Sequence, residues 1–253
     1  MMSPLDPRVE FENITAVEFL EPTTPDARTL QIEDFASLQL LPKLQTLIIR
    51  RTGLAEREFA EEIGKLKNLS TLHFRSADNS QWLSAFGHMD NLVELQIIES
   101  CNFQDGEFFD RAPKLKSLFC TGETGATISK AAAQQMAEHK ELIVARLWNP
   151  IALTEESVQL LVQSKRLNKL HLGGETVNTQ MVQFLIENRG PNLEEFGINP
   201  NVIDANILVQ TVERSKPNSD LPLTLVFEED AADFTQELRE RLKACNVQVY
   251  PPL

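Results

Sequence analysis

Leu66-Lys67-Asn68-Leu69-Ser70-Thr71-Leu72, followed by Phe74, spaces apolar side chains so that Leu69, Leu72 and Phe74 form an LxxLxL phrase. The phrase returns as Leu41-Pro42-Lys43-Leu44-Gln45-Thr46-Leu47 and as Met89-Asp90-Asn91-Leu92-Val93-Glu94-Leu95. It returns again as Ala112-Pro113-Lys114-Leu115-Lys116-Ser117-Leu118, Ser164-Lys165-Arg166-Leu167-Asn168-Lys169-Leu170 and Gly190-Pro191-Asn192-Leu193-Glu194-Glu195-Phe196. Ile49, Ile97, Cys120, Leu172 and Ile198 close these copies as Phe74 closes the first. Weaker copies begin at Ile14, Leu142 and Pro222, and Asn246 to Tyr250 reads as a last strand. A period of about 25 residues, ranging from roughly 22 to 30, is the signature of a solenoid built from stacked units.

The copy Leu193-Glu194-Glu195-Phe196-Gly197-Ile198-Asn199-Pro200-Asn201-Val202-Ile203 resembles the LxxLxLxxNxL motif of the leucine-rich-repeat family. Thr52, Ser100 and Glu175 stand where Asn201 does, so a side-chain ladder along that turn is expected to be broken. The resemblance covers nearly the whole chain. It implies an α/β leucine-rich-repeat solenoid, a horseshoe with parallel strands on the concave face and helices on the convex face. One domain over residues 1–253 is expected, with about nine or ten irregular repeats and a C-terminal cap at about 231–250. The pattern leaves the repeat boundaries near 20–40 and 120–145 unfixed.

Between the strands, Phe59, Ile63 and Leu66 share a helical face, as do Val158, Leu161 and Val162, then Met181, Phe184 and Leu185, then Phe234, Leu238 and Leu242. Thr154, Asn178 and Asp204 stand where helix N-caps belong. Helix-backed repeats of this length resemble the ribonuclease-inhibitor class and the repeat regions of F-box substrate receptors. The F-box itself is not visible: residues 1–40 lack a compact three-helix pattern, and Glu21-Pro22-Thr23-Thr24-Pro25-Asp26 breaks any helix there.

Composition narrows the function classes. With 42% apolar but only 7% aromatic residues, the 253-residue chain supports one aliphatic core. Hydropathy never sustains the roughly 18 apolar residues of a membrane span, and Met1-Met2-Ser3-Pro4 does not open a signal peptide. Cys101, Cys120 and Cys245 are odd in number and widely spaced, which suits a reducing compartment, so a cytoplasmic or nuclear setting is expected. His73, His88, His139 and His171 make no HxxxH or HExxH spacing, so no metal is expected. Thr121-Gly122-Glu123-Thr124-Gly125-Ala126-Thr127 lacks the GK[ST] ending of a phosphate-binding loop and reads as an inter-repeat loop. No GxSxG elbow or cysteine–histidine signature is present. Neither a cofactor nor catalysis is expected.

Strand periodicity then locates a surface. Side chains alternate between faces, so the residues between the repeat leucines point out of the concave sheet. The middle outward positions are Glu18, Ile48, His73, Gln96, Phe119, Arg146, His171, Gly197 and Val226. The next outward positions include Leu20, Arg50, Arg75, Ile98, Thr121 and Trp148. Arg50, Arg51, His73, Arg75, Arg146, Lys169 and His171 therefore set basic groups on the sheet of a chain whose net charge is -13, with Ile48, Ile98, Phe119 and Trp148 among them. Aromatic anchors with arginines are the composition of interface hot spots. The expected function is a non-enzymatic scaffold or adaptor that binds another protein, through an acidic or phosphorylated segment, on this face. Two alternatives stand beside it: a ubiquitin-ligase substrate receptor without a visible F-box, and a nucleic-acid-binding solenoid. The acidic total argues against nucleic acid.

Overall fold

The computed structural model describes residues 11–20, 30–50, 57–76, 82–99, 101–103, 106–121, 126–148, 150–151, 153–173, 177–198, 203–214, 222–227 and 235–250. Its main sheet has ten strands: β1 (Ala16–Phe19), β2 (Thr46–Ile49), β3 (Thr71–Ser76), β4 (Glu94–Glu99), β6 (Ser117–Thr121), β8 (Val144–Leu147), β10 (Lys169–Leu172), β11 (Glu195–Ile198), β12 (Leu223–Phe227) and β13 (Val247–Tyr250). They lie side by side in chain order. Every adjacent pair is parallel. Each copy of the phrase, including the weak copies at Ile14, Leu142 and Pro222, supplies one of these strands.

Register follows from the phrase itself. Leu47, Leu72, Leu95 and Leu118 are successive Cα partners, followed by Ala145, Leu170, Phe196 and Leu225. All eight are completely buried. A one-residue slip would turn this whole row to solvent, so burial pins the pairing. The second inward row, Ile49, Phe74, Ile97, Cys120, Leu147, Leu172 and Ile198, is buried as well.

Opposite the sheet run α1 (Ile32–Ala36), α2 (Arg57–Ile63), α3 (Trp82–Ala85), α4 (Glu107–Arg111), α5 (Lys130–Glu138), α6 (Glu155–Val162), α7 (Thr179–Asn188), α8 (Ala205–Arg214) and α9 (Gln236–Ala244), each packed on the next. The expected caps form: Thr154 accepts from the Ser157 amide at 3.2 Å and Asn178 from the Met181 amide at 3.0 Å. Asp204 accepts from the Asn206 and Ile207 amides at 2.9 and 3.0 Å. Expected face residues Val158, Leu161, Val162, Met181, Leu185, Leu238 and Leu242 are buried, while Phe184 is half-buried and Phe234 lies outside the described residues. Leu66 is buried too, but α2 ends at Ile63, so Leu66 belongs to the return turn. The chain is an α/β leucine-rich-repeat solenoid, a horseshoe whose sheet lines the inside.

One feature of the repeat differs from the expectation and another lies outside it. The segment Thr121–Thr127, expected to be a loop, has strand at both ends: Thr121 closes β6, and Ala126 and Thr127 open β7 (Ala126–Ile128). With β5 (Cys101–Phe103) and β9 (Pro150–Ile151), β7 forms a second, three-stranded parallel sheet. It is anchored by Phe103 and Ile128, both buried. The other feature is a side-chain ladder on the turn that leads into the strands. Asn68 donates to the Pro42 carbonyl at 2.7 Å, Asn91 to Lys67 at 2.9 Å and Asn192 to Lys165 at 2.5 Å, each across to the preceding repeat. The turn carrying Thr52, Ser100, Glu175 and Asn201 lies outside the described residues.

The same return turn is closed by one recurring hydrogen bond. The amides of Leu44, Leu69, Leu92, Leu115 and Leu193 each donate to the carbonyl three residues earlier, at 3.0 to 3.2 Å. In two repeats a side chain substitutes for that carbonyl: His139 Nδ1 accepts from Leu142 at 3.0 Å and Ser164 Oγ from Leu167 at 3.3 Å.

Candidate functional site

The outward residues of ten strands form rows that run across the concave face. Pairwise register puts Glu18, Ile48, His73, Gln96, Phe119, Arg146, His171, Gly197, Val226 and Tyr250 in one continuous middle row. In the next row Arg75, Ile98 and Thr121 are partners, and Arg50 and Trp148 hold the equivalent place just past β2 and β8. Of the expected site residues, Arg51 lies outside the described residues, and the others all occur on this face. Arg50 is exposed, His171 is buried, and Ile48, His73, Arg75, Ile98, Phe119, Arg146, Trp148 and Lys169 are half-buried.

Electrostatics divides this face. Toward the N-terminal end, Arg50 donates through Nε to Glu18 Oε1 at 2.5 Å, and His73 Nε2 meets Glu94 Oε1 at 2.6 Å. Toward the C-terminal end, Glu195 binds two neighbours at once. Lys169 Nζ donates to Oε2 at 2.6 Å and His171 Nε2 to Oε1 at 2.7 Å. An ionised carboxylate only accepts, so the His171 proton sits on Nε2.

Burial pushes the His171 pKa below its ordinary value, and Arg146 adds to that push; the Glu195 hydrogen bond opposes it without cancelling it. Burial pushes the Glu195 carboxyl upward, but the hydrogen bonds from Lys169 and His171, with the Lys169 charge, outweigh burial and hold it below the usual range. The arrangement is a neutral imidazole beside a Lys–Glu pair.

Gly197 makes that arrangement possible. A Cβ at this position would lie 2.4 Å from His171 Cγ and 2.6 Å from Nδ1. The histidine ring occupies the space that a side chain on the neighbouring strand would fill.

Arg146 is different from its neighbours. Its guanidinium carbon lies 5.5 Å from the centroid of the Phe119 ring, a cation–π distance. Among the described residues no carboxylate pairs with it, and its Nε is buried with no hydrogen-bond partner. Beside it an open hollow of about 440 Å³ runs across the sheet, walled by Arg146, Trp148, His171, Val226 and Tyr250.

Glu94, Glu195 and Tyr250 were not expected at the site. A signal for the acidic pair is present: Glu195 occupies the place in its copy that Lys169 holds in the one before, so parallel stacking sets them side by side. Among the described residues no group of three His, Cys, Asp or Glu is placed to hold a metal ion. None of their helices is long and apolar enough to cross a membrane.

No protein-family model and no curated protein matches the chain. Among solved structures it is similar to a chain in the crystal structure of a TLR13–ssRNA13 complex, at 15% identity and a TM-score of 0.44. The match covers 94% of this chain and 32% of that one, so this chain spans about a third of that chain's length.

Proposed function

We propose that the chain is a non-enzymatic interaction scaffold that holds an acidic segment of another protein against its concave sheet. The observation that carries this reading is Arg146: a guanidinium that no carboxylate among the described residues pairs, stacked on Phe119, in a hollow that Trp148 and Tyr250 wall. A half-buried guanidinium that no carboxylate among the described residues pairs offers its charge to an acidic ligand group, which a charge-assisted hydrogen bond would hold. Aromatic side chains beside an arginine supply the apolar area and directional hydrogen bonds of an interface hot spot. Arg75, Ile98, Ile48 and Arg50 extend the surface toward the N-terminal end. The helix-backed repeat supports a solenoid of the ribonuclease-inhibitor or F-box-receptor type, and an adaptor role in ubiquitin ligation is one setting for such a scaffold.

Photo-crosslinking tests the proposal. A benzophenone amino acid at position 119, on the sheet, should yield a protein adduct from native extract, with the attachment point in an acidic segment of the partner. The same group at position 61, on outer helix α2, should not. A protein adduct from position 61 alone, or a nuclease-sensitive adduct from position 119, would overturn the reading.

A further inference from the structure

The charges around the hollow define which anion it accepts. Among the described residues two cations line it, Arg146 and Lys169, and one carboxylate, Glu195. Lys169 is already paired with Glu195, and His171 is uncharged in its buried place between them. Among the described residues one net positive charge remains, and it resides on the Arg146 guanidinium, which no carboxylate pairs there. The rest of the described wall is uncharged: Trp148 two residues beyond Arg146 in the chain, and Thr224, Val226 and Tyr250 further across the sheet.

Resting on the scaffold reading above, we propose that this hollow recognises a single carboxylate, an Asp or Glu side chain of the partner, flanked by apolar residues, and discriminates against phosphorylated segments. A carboxylate opposite Arg146 matches the fork geometry of its guanidinium and brings the charge of the described lining to neutrality. A phosphate carries close to two negative charges. It would leave an excess negative charge in a half-buried place and would face Glu195 across the hollow, so repulsion and desolvation oppose it. Glu195 is therefore a specificity-determining residue that works by occupying Lys169 and His171, and Gly197 is what lets His171 reach it. From Trp148 to Tyr250 the hollow crosses four strand spacings, about 19 Å at ~4.8 Å each. An extended peptide of about six residues covers that distance.

The test uses the intact protein and three octapeptide libraries. One central position is fixed as Glu, Gln or phosphoserine, and the remaining positions are randomised over uncharged residues. Wild type should bind the Glu library about tenfold more tightly than the Gln library, and several-fold more tightly than the phosphoserine library. Arg146→Gln should bring the Glu-to-Gln ratio to about one, and Arg146→Lys, which keeps the charge and loses the fork, should give an intermediate ratio. Glu195→Gln should raise phosphoserine binding by roughly tenfold, because Lys169 becomes available and the repelling charge is gone. Glu61→Lys on α2 should leave every ratio unchanged. Circular dichroism and a urea midpoint establish that each variant is folded.

Wild-type binding of phosphoserine as tight as that of Glu, or tighter, would overturn the proposal, as would a Glu preference that survives Arg146→Gln. If the preference survives there but is lost in Arg50→Glu/Arg75→Glu, the carboxylate site lies elsewhere on the sheet and the scaffold reading stands. No Glu preference at all in wild type overturns the carboxylate assignment, whereas the crosslinking position judges the scaffold reading independently.

Discussion

At the residue scale, His139 shows how one side chain ties protonation to the fold. It is buried, its Nε2 proton points to the Ala112 carbonyl at 3.2 Å, and its Nδ1 accepts from the Leu142 amide. Protonating Nδ1 would set N–H against N–H, and burial already pushes the pKa below its ordinary value. His171 is pushed in the same direction, also by burial first. The sign follows from linkage. Below about pH 6.5 the unfolded chain takes up protons that the folded chain refuses, so stability is full above that value and falls as pH drops toward the lowered folded values. Glu195, whose pKa is also lowered, acts only below the ordinary glutamate range, outside this window. The urea midpoint should therefore fall between pH 7.5 and 5.5, and His139→Gln should flatten part of the decline; an unchanged slope in the variant would exclude His139 as a cause.

Residue by residue, the concave face was readable in the sequence because the phrase repeats with period-two alternation and parallel stacking keeps equivalent positions adjacent. All nine middle outward positions that the phrase assigns fall in one row. The pairing of charges was harder to read. That Arg50, His73, Lys169 and His171 each face a glutamate depends on neighbours about one repeat away and on rotamers, and neither is a local pattern.

At the element scale, the strands of the main sheet specify themselves, since each carries at least two inward apolar or small residues at alternate positions. The small second sheet does not. Cys101–Phe103, Ala126–Ile128 and Pro150–Ile151 are too short for alternation to register, and they exist because consecutive repeats present the same edge. The return-turn ladder did leave a mark: Asn68, Asn91 and Asn192 all stand immediately before the first leucine of their copies, where an amide can reach back to the previous turn. A central strand tests the packing. Leu95 is completely buried, with Leu72 and Leu118 on either side. Leu95→Ala should cost about 2 to 5 kcal/mol, since stacked repeats on both sides hold the cavity open. A loss under about 1 kcal/mol in urea unfolding would mean that the register is wrong.

At the scale of the whole molecule, the solenoid is a one-dimensional stack whose ends need covering. Helix α9 packs on α8 and on β13, and β13 pairs with β12, and on this packing we propose that residues of about 231–250 act as a cap. Removing residues beyond 230 should bare the β12 edge and the α8 side that α9 covers, where Leu208, Val209 and Val212 are buried. The truncated protein should self-associate and melt earlier than the intact chain in sedimentation and thermal unfolding. A stable monomer would contradict the capping role.

Stacking also gathers onto one face residues that lie far apart in the chain, Arg50 and Arg75 near one end and Arg146 and Trp148 toward the other. The most direct test of this account is the binding kinetics of the crosslinked partner with three folded variants. Arg50→Glu/Arg75→Glu should slow association and weaken its salt dependence, because partly exposed charges act through steering. Trp148→Ala should speed dissociation and cost on the order of 2 to 4 kcal/mol, as a buried anchor does. Reversing Glu58 and Glu61, exposed on the outer helix α2, should change neither rate. Normal binding by both concave variants with loss of binding by the outer-helix variant would contradict the account and move the site to the convex helices.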